Sequence, residues 1–503
     1  MTGFREAFAL SKDAVRLARP LRTTRLADYL HPQHGDWPLH YPPPSSDPVD
    51  PLNWPLKLKV ASLLCMSIYG FLVNFASASI ASAFPLLASR AAFDPPVPLG
   101  DLSSLISVNV LMLGAANLLW VPLANTFGRR PSLLAARLFM GLTGAPADMG
   151  KCSHYLRQER LVVAPTVVGE VFFTYQRGRA IGLYTVLLAL GPLVGGLVAG
   201  YIADNLGIPW INWINAIVSG VLLVTCFFLQ PETLFTQNFF QEAEDANGHV
   251  CMDAYLDISS FHSQSHSTPQ RFSYFKYLHI NLHPCSDFKF TTYLSRPFLS
   301  LRLPGVWLVM LWYAGLVSGL PPYLWGPNVG CINIGGIIGV LLGFSITSLF
   351  SDRIITWQGV KCRVAYLVAE VRLPLAIPGL VLATTGLWVF GFCAENPGQM
   401  VWVGMEVGLG MLCLGLMLVP AIGFTDVIEA YGRLAPDSFV AIASLRAIIS
   451  FCWTFFVGYW VTEAGAAVPF GVFGAIMAAF SLLLVPVLLW GKRTRIATEK
   501  WVL

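Results

Sequence analysis

Five ionisable side chains interrupt otherwise apolar stretches of this sequence, and these residues are the best placed to do chemistry. A charged group inside a bilayer is costly unless it faces a protein interior or a water-filled cavity, so each is a candidate functional residue. Buried carboxylates can take up and release protons near neutral pH, and arginines can hold anions or tune a nearby carboxylate. The five residues are Arg137, Asp148, Glu170, Glu406 and Arg446.

The five residues lie in apolar stretches that we predict to be membrane helices. The chain has 503 residues, of which 55% are hydrophobic and 12% charged, whereas soluble domains have about 45–50% apolar and 25% charged residues. This composition excludes a soluble globular protein and predicts an all-α, polytopic membrane protein with the lipid bilayer as its surroundings. The net charge of +4, without a basic stripe, gives no support for nucleic-acid binding.

Eleven apolar runs have spanning or near-spanning length, since about 20 apolar residues cross a bilayer. They lie at about 60–86, 101–124, 132–149, 180–203, 209–229, 303–320, 329–350, 373–393, 400–424, 438–461 and 468–490. Basic residues mark the cytoplasmic loops, and four connecting segments without Lys or Arg are therefore expected outside: 204–208, 321–328, 394–399 and 462–467.

The runs form two blocks separated by a long polar stretch. We therefore predict a cytoplasmic tail, a first bundle, a cytoplasmic central loop, a second bundle and a second cytoplasmic tail. Their bounds are 1–55, 56–230, 231–302, 303–490 and 491–503.

The predicted topology contradicts itself in the first bundle. The loops at 125–131 and 174–179 are both basic and both expected inside, so an even number of spans must separate them. Only 132–149 is long enough, because the apolar piece 161–173 is too short to cross and follows a polar insert.

Several short motifs resemble those of the major facilitator superfamily, in its fungal, twelve-span drug:proton antiporter group. The segments concerned are Asp50-Pro51-Leu52-Asn53-Trp54-Pro55, Phe127-Gly128-Arg129-Arg130-Pro131, Arg137 with Gly141, and Gly191-Pro192-Leu193-Val194-Gly195-Gly196. The resemblance implies twelve spans in two bundles, where this chain offers about eleven. By comparison with the family the third span is missing and residues 150–163 interrupt the fourth, and we hypothesise a gene-model error.

The resemblance also implies roles for individual residues. If residues 150–163 were removed, Asp148 and Glu170 would lie eight positions apart on one helix face, with Arg137 near that face, as a proton-coupling group. Alternatively, Glu170 pairs with Arg177 or Arg179 at the cytoplasmic end of the helix.

Two candidates belong to the second bundle. Glu406 either lines the cavity or lies near the outer mouth. Arg446 either contacts substrate or balances Asp426 or Glu429 in the inner half of its span.

The remaining motif residues concern helix geometry and the inner face. The antiporter motif residues Gly191, Pro192, Gly195 and Gly196 are assigned to antiport by the family, or else form only a packing bend. The inner-gate loops contain Gly128, Arg129 and Arg130 in the first bundle and Asp352 and Arg353 in the second. These loops either latch one conformation or serve only as topology signals.

The expected function is secondary transport: export of a drug-like compound or secondary metabolite in exchange for protons, with both termini cytoplasmic and the plasma membrane as the site. No phosphate-binding loop of the GxxxxGK[ST] type is present, so the proton gradient is the expected driving force, with no cofactor. The alternatives are proton-coupled uptake of a nutrient or polyamine, and a non-functional product of a faulty gene model. An enzyme is not expected because all nine histidines lie outside the predicted spans, and the scattered cysteines indicate no metal site.

Overall fold

The computed structural model describes residues 50–79, 99–144, 164–233, 290–304, 331–361, 369–396, 400–431 and 434–502, with isolated residues at 8–9, 306–307, 309 and 398. In these ranges the chain is helical. The helices are α1 (Leu56–Ser79), α2 (Leu99–Phe127), α3 (Arg129–Gly144), α4 (Ala164–Val171), α5 (Thr174–Asn205), α6 (Ile208–Leu229), α7 (Phe290–Ser300), α8 (Asn333–Lys361), α9 (Ala376–Glu395), α10 (Val401–Tyr431), α11 (Ala435–Ala464), α12 (Ala467–Leu482) and α13 (Leu484–Val502). Short 3₁₀ segments, Pro51–Asn53 and Ala369–Leu375, precede α1 and α9.

Eight helical stretches in the described part of the chain are long and apolar enough to cross a membrane. They are Leu56–Ser79, Gln176–Asn205, Pro209–Leu229, Asn333–Ser351, Arg372–Glu395, Val401–Tyr431, Ala435–Trp453 and Ala467–Thr494. The predicted all-α, polytopic membrane fold is therefore confirmed. Most of the predicted run at 303–320 lies outside the described residues.

Glycines allow the helices of the second bundle to approach closely. A β-carbon on Gly339 of α8 would lie 2.0 Å from the carbonyl oxygen of Gly410 on α10, and one on Gly386 of α9 would lie 2.6 Å from that of Gly408. Helices in lipid associate through such close packing, because burying apolar side chains gives little advantage there. Helix α10 thus packs tightly between α8 and α9.

Among the described residues the two bundles meet mainly along two seams, where α5 packs against α8, with α10 beside it, and where α2 packs against α11. In the first seam Gly182 faces Phe344, and Gly196 faces Asn333. In the second seam the Ser444 hydroxyl donates a 3.1 Å hydrogen bond to the carbonyl oxygen of Gly114. Each seam therefore joins helices from both bundles.

Helices α3 and α4 belong to different passes through the bundle. Helix α3 packs against α6 and α2, whereas α4 packs against α1, α5 and α11. Arg129 at the start of α3 forms an ion pair with Glu170 near the end of α4, so these two ends lie together. The basic loops at 125–131 and 174–179 can therefore lie on the same side of the membrane, as their positive charge predicts. Residues 145–163 lie outside the described residues, and the gene-model hypothesis stays a prediction.

Candidate functional site

The loop between α2 and α3 is organised around a carboxylate. Gly128 has a φ of 100°, a conformation that glycine adopts without strain. The first amides of α3 then point at Glu232: the backbone N–H groups of Arg129 and Arg130 each donate a 3.0 Å hydrogen bond to its carboxylate. Because the first N–H groups of a helix have no partner within it and carry partial positive charge, Glu232 caps α3.

The two arginine side chains of this loop make different contacts. Arg129, almost completely buried, forms a bidentate pair with Glu170, in which the Nη2 to Oε1 distance is 2.6 Å. Arg130 donates a 2.9 Å hydrogen bond to the carbonyl oxygen of Phe227 near the end of α6. The loop therefore ties together the ends of α3, α4 and α6. We call this face, which also contains Arg177 and Arg179, the basic end.

Glu170 lies at the end of its helix, as the brace prediction expects, and its bidentate partner there is Arg129. Its pairing with Arg177 or Arg179 stays a prediction. Arg177 donates hydrogen bonds to the carbonyl oxygens of Gly169 and Phe172, at 2.7 and 3.1 Å. It caps the end of α4, where carbonyl groups lack helical donors.

Arg137 lies inside the first bundle rather than beside Glu170. Its side chain is 2% exposed, donates a 2.8 Å hydrogen bond to the Gln230 side-chain oxygen and lies 5.0 Å from the centre of the Tyr69 ring. In this chain Arg137 and Glu170 lie on different helices, α3 and α4; the shared face expected of a chain without residues 150–163 stays a prediction. Asp148, the third member of that predicted group, lies outside the described residues.

The second bundle contains an ion pair that the sequence analysis missed. Arg372, completely buried, lies 3.3 Å from the carboxylate of Glu429. This pair joins the start of α9 to the end of α10, as Arg129 and Glu170 join the start of α3 to the end of α4. A search for an arginine before the third helix and a glutamate at the end of the fourth helix of each block could have found it.

The predicted inner loop of the second bundle is not a loop. Helix α8 continues through Ser351, Asp352 and Arg353 to Lys361, and Arg353 is exposed. No glycine equivalent to Gly128 stops the helix at that point, so the similarity between the two charged segments does not extend to their structure.

Arg446 lies on α11, two residues after the Ser444 contact with α2. It is therefore close to a seam between the bundles. Of its two predicted balancing residues, Glu429 forms an ion pair with Arg372, and both predicted roles of Arg446 stay predictions.

Glu406 caps a helix. Its carboxylate accepts a 2.6 Å hydrogen bond from the backbone N–H of Gly335, in the first turn of α8. Glu395 does the same for α12, accepting a 2.6 Å hydrogen bond from the N–H of Ala467. Both contacts are at the end of the bundle opposite the basic end. This position is compatible with the predicted place near the outer mouth, and the predicted cavity-lining role stays a prediction.

The antiporter motif packs α5 against α1. A β-carbon on Gly191 would lie 2.5 Å from the carbonyl oxygen of Phe71, and one on Gly195 would lie 2.6 Å from that of Phe75. Pro192 provides no N–H for the carbonyl of Leu188 four residues earlier. The side chain of Asn74 on α1 donates a 3.0 Å hydrogen bond to that carbonyl. Gly196, by contrast, faces Asn333 across the seam.

The bundles also touch at the basic end itself. A β-carbon on Gly169 of α4 would lie 3.2 Å from the Ile428 side chain of α10. Each of these residues is next to a glutamate of one ion pair, Glu170 or Glu429. The ends of α4 and α10 thus touch at this face, with an ion pair on either side. No group of three or more metal-ligating side chains is found in the part of the chain that the structure describes.

Comparisons with known proteins agree with this architecture. The sequence profile of the Major Facilitator Superfamily matches residues 161–428. An uncharacterized MFS-type transporter of Schizosaccharomyces pombe is 24% identical, over 91% of this chain and 88% of that protein. Multidrug transporter TPO1_1 of Candida glabrata is 21% identical, over 92% of this chain and 81% of that protein.

Among solved structures, the proton:xylose symporter XylE matches with a TM-score of 0.56 and 13% identity, over 86% of this chain and 97% of that chain. At this identity the match concerns the fold alone. The profile match covers more than half of the sequence, and the relatives align over most of their length. The chain is therefore a multi-pass membrane protein that belongs to the major facilitator superfamily.

Proposed function

We propose that the protein is a secondary transporter of the plasma membrane that exports a small organic compound, drug-like or a secondary metabolite, in exchange for protons. The observation that carries this proposal is the two-bundle architecture of the major facilitator superfamily fold, in which Gly169 of the first bundle contacts Ile428 of the second bundle at the basic end. Two bundles that meet in this way can rock about a central site, which is the motion that alternating access requires.

The ion pairs at the basic end offer a way to couple protons to this motion. Glu170 keeps 36% of its side chain exposed while it holds the buried Arg129. Protonation of Glu170 would remove its negative charge and weaken its hold on Arg129. A proton taken up there would therefore loosen the connection between α3 and α4. With the basic end in the cytoplasm, this carboxylate lies on the side from which an exporter loads its substrate.

Two observations support export. The name of the Candida glabrata relative describes a multidrug transporter, and the chain carries the Gly191 to Gly196 motif that the antiporter group uses. The close packing of Gly191 and Gly195 on α1 gives the motif a structural basis. Because the group's glycines also serve as packing residues, the direction of transport has to be measured.

The test is the retention of the fluorescent cation rhodamine 6G in yeast cells that lack their own drug exporters. Cells expressing this chain should retain several-fold less dye than cells with an empty vector, and a protonophore should abolish the difference. Acid-stimulated accumulation of labelled spermidine, with no effect on dye, would favour uptake instead. A second form, translated without residues 150–163 and with a complete third span, tests the gene-model alternative. Export by that form alone would show that this chain is the non-functional product.

A further inference from the structure

The residues just before α1 are folded onto the basic end of the first bundle. Asp50 accepts a 2.9 Å hydrogen bond from the backbone N–H of Leu52 and caps the 3₁₀ turn Pro51–Asn53. The side chains of Leu52 and Trp54 are buried, with 4% and 3% exposed. The turn contacts α4. Segment 50–55 is thus a packed part of the bundle.

Lys59 connects this segment to the end of α4. It is 4% exposed although it carries a charge, and its Nζ donates a 2.9 Å hydrogen bond to the carbonyl oxygen of Leu52. The same ammonium group lies 4.7 Å from the centre of the Phe173 ring, at the junction of α4 and α5. Cations are attracted to aromatic faces, more strongly when water is excluded. One side chain therefore bridges segment 50–55, α1 and the α4–α5 junction.

A small cavity lies between α1 and α4, and Lys59 is at its edge. The cavity is lined by Lys59, Ser62, Leu63 and Met66 of α1 and by Val167, Val168, Val171 and Phe172 on the α4 side. The Ser62 hydroxyl has no hydrogen-bond partner among the described residues. The polar contacts between α1 and the end of α4 therefore come from Lys59 and not from Ser62.

On its other side, helix α4 contacts the second bundle. Gly169, in the last turn of this eight-residue helix, touches Ile428 of the second bundle. A displacement of α4 away from α1 would move Gly169 relative to α10. We propose that segment 50–55 and Lys59 form a strap that holds α4 in the position that closes the basic end. This inference relies on the proposed function only in that the basic end opens during transport.

The experiment measures closure directly, by disulfide cross-linking of Gly169→Cys with Ile428→Cys in membranes. A protease site introduced into the 231–302 segment separates the two halves of the chain on a gel unless the disulfide joins them. Each single cysteine variant gives the background due to native cysteines. The cross-linking yield is then compared among chains with Lys59, Lys59→Met, Lys59→Arg and Lys57→Met. Lys57 is an exposed neighbour on α1 and serves as the matched control.

We expect Lys59→Met to lower the cross-linking yield several-fold, because methionine keeps the length of the side chain and loses its charge and donors. Lys59→Arg and Lys57→Met should give the parental yield. Equal yields for Lys59→Met and the parent would overturn the strap. Where Lys59→Met does not give folded protein, Asp50→Ala is judged by the same criterion, since alanine removes the acceptor that caps the turn. A lowered yield in a chain that moves no substrate would support the strap and contradict the proposed function.

Discussion

The side chain of Asn74 on α1 donates a hydrogen bond to the carbonyl of Leu188 on α5, the carbonyl that Pro192 leaves without its helical donor. The distance from Nδ2 to the oxygen is 3.0 Å. A carbonyl without a donor is costly at membrane depth, and neighbouring helices commonly supply the missing group. The packing of α5 on α1 therefore supplies a donor for the carbonyl that Pro192 leaves without one.

This relationship predicts a specific coupling between Asn74 and Pro192. Asn74→Leu should lower the free energy of unfolding by about 1–2 kcal/mol, because the Leu188 carbonyl is left without a donor. In a Pro192→Ala background the alanine N–H can bond to that carbonyl, and the same substitution should cost much less. Thermal unfolding of the four proteins of this cycle in detergent measures the difference. An equal cost of Asn74→Leu in both backgrounds would contradict the assignment.

Close approach of α1 and α5 predicts that added volume at Gly191 is not tolerated. Gly191→Ala places a methyl group against the Phe71 carbonyl and should cost about 1–3 kcal/mol of stability, with reduced dye export. Gly220 on α6 has no atom within 4 Å of the position that a β-carbon would take, so Gly220→Ala should be neutral or slightly stabilising. Similar behaviour of the two variants in unfolding measurements would show that the helices are not in close contact.

Glu406 is predicted to act as a helix cap and not as a proton carrier. Glu406→Gln keeps an oxygen that can accept from the Gly335 N–H, so transport and its pH dependence should be close to those of the parent. Glu406→Ala should lower stability by about 1 kcal/mol, as should Glu395→Ala at α12. Loss of the pH dependence of transport in Glu406→Gln, with the protein folded, would assign Glu406 to proton coupling instead.

The pair of Arg129 and Glu170 is predicted to contribute both stability and coupling. A double-mutant cycle with Arg129→Gln and Glu170→Gln should give an interaction free energy of about 1–3 kcal/mol. Dye export should fall in both single variants. Arg179→Gln, at an exposed position of the same face, is the matched control and should behave like the parent. Additive effects of the two single substitutions would show that the pair has no energetic role.

The membrane helices and their arrangement in two bundles can be predicted from the sequence, because hydropathy and positive charge determine where helices lie in a bilayer. Segments such as Gly191 to Gly196 also keep their predicted packing role. The motif comparison would place Arg137 and Glu170 on one helix face if residues 150–163 were removed, and in this chain they lie on separate helices, α3 and α4. Their actual partners, Gln230 and Arg129, depend on the order in which α3, α4 and α6 pack.

Other residues of the site could be identified only from their contacts in the structure. Glu429 and Arg372 lie at the edges of apolar runs, where a charged residue is unremarkable in sequence. Asn74 and Lys59 are polar residues in a mostly apolar helix. Their roles depend on hydrogen bonds to backbone carbonyls elsewhere in the chain, those of Leu188 and Leu52. A search for the carbonyl four residues before each helical proline would have predicted that Leu188 needs a donor.

The central claim, exchange of an organic compound for protons, is tested most directly in liposomes that contain the purified protein. The membrane potential is clamped at zero with valinomycin and equal potassium, and the uptake of the permanent cation tetraphenylphosphonium is followed with the interior acidic. If the protein exchanges the cation for protons, uptake should be concentrative, should disappear when the pH gradient is collapsed and should be lost in Gly191→Ala. Uptake that does not respond to the pH gradient, or that requires an acidic exterior, would show that the cation is not exchanged for protons.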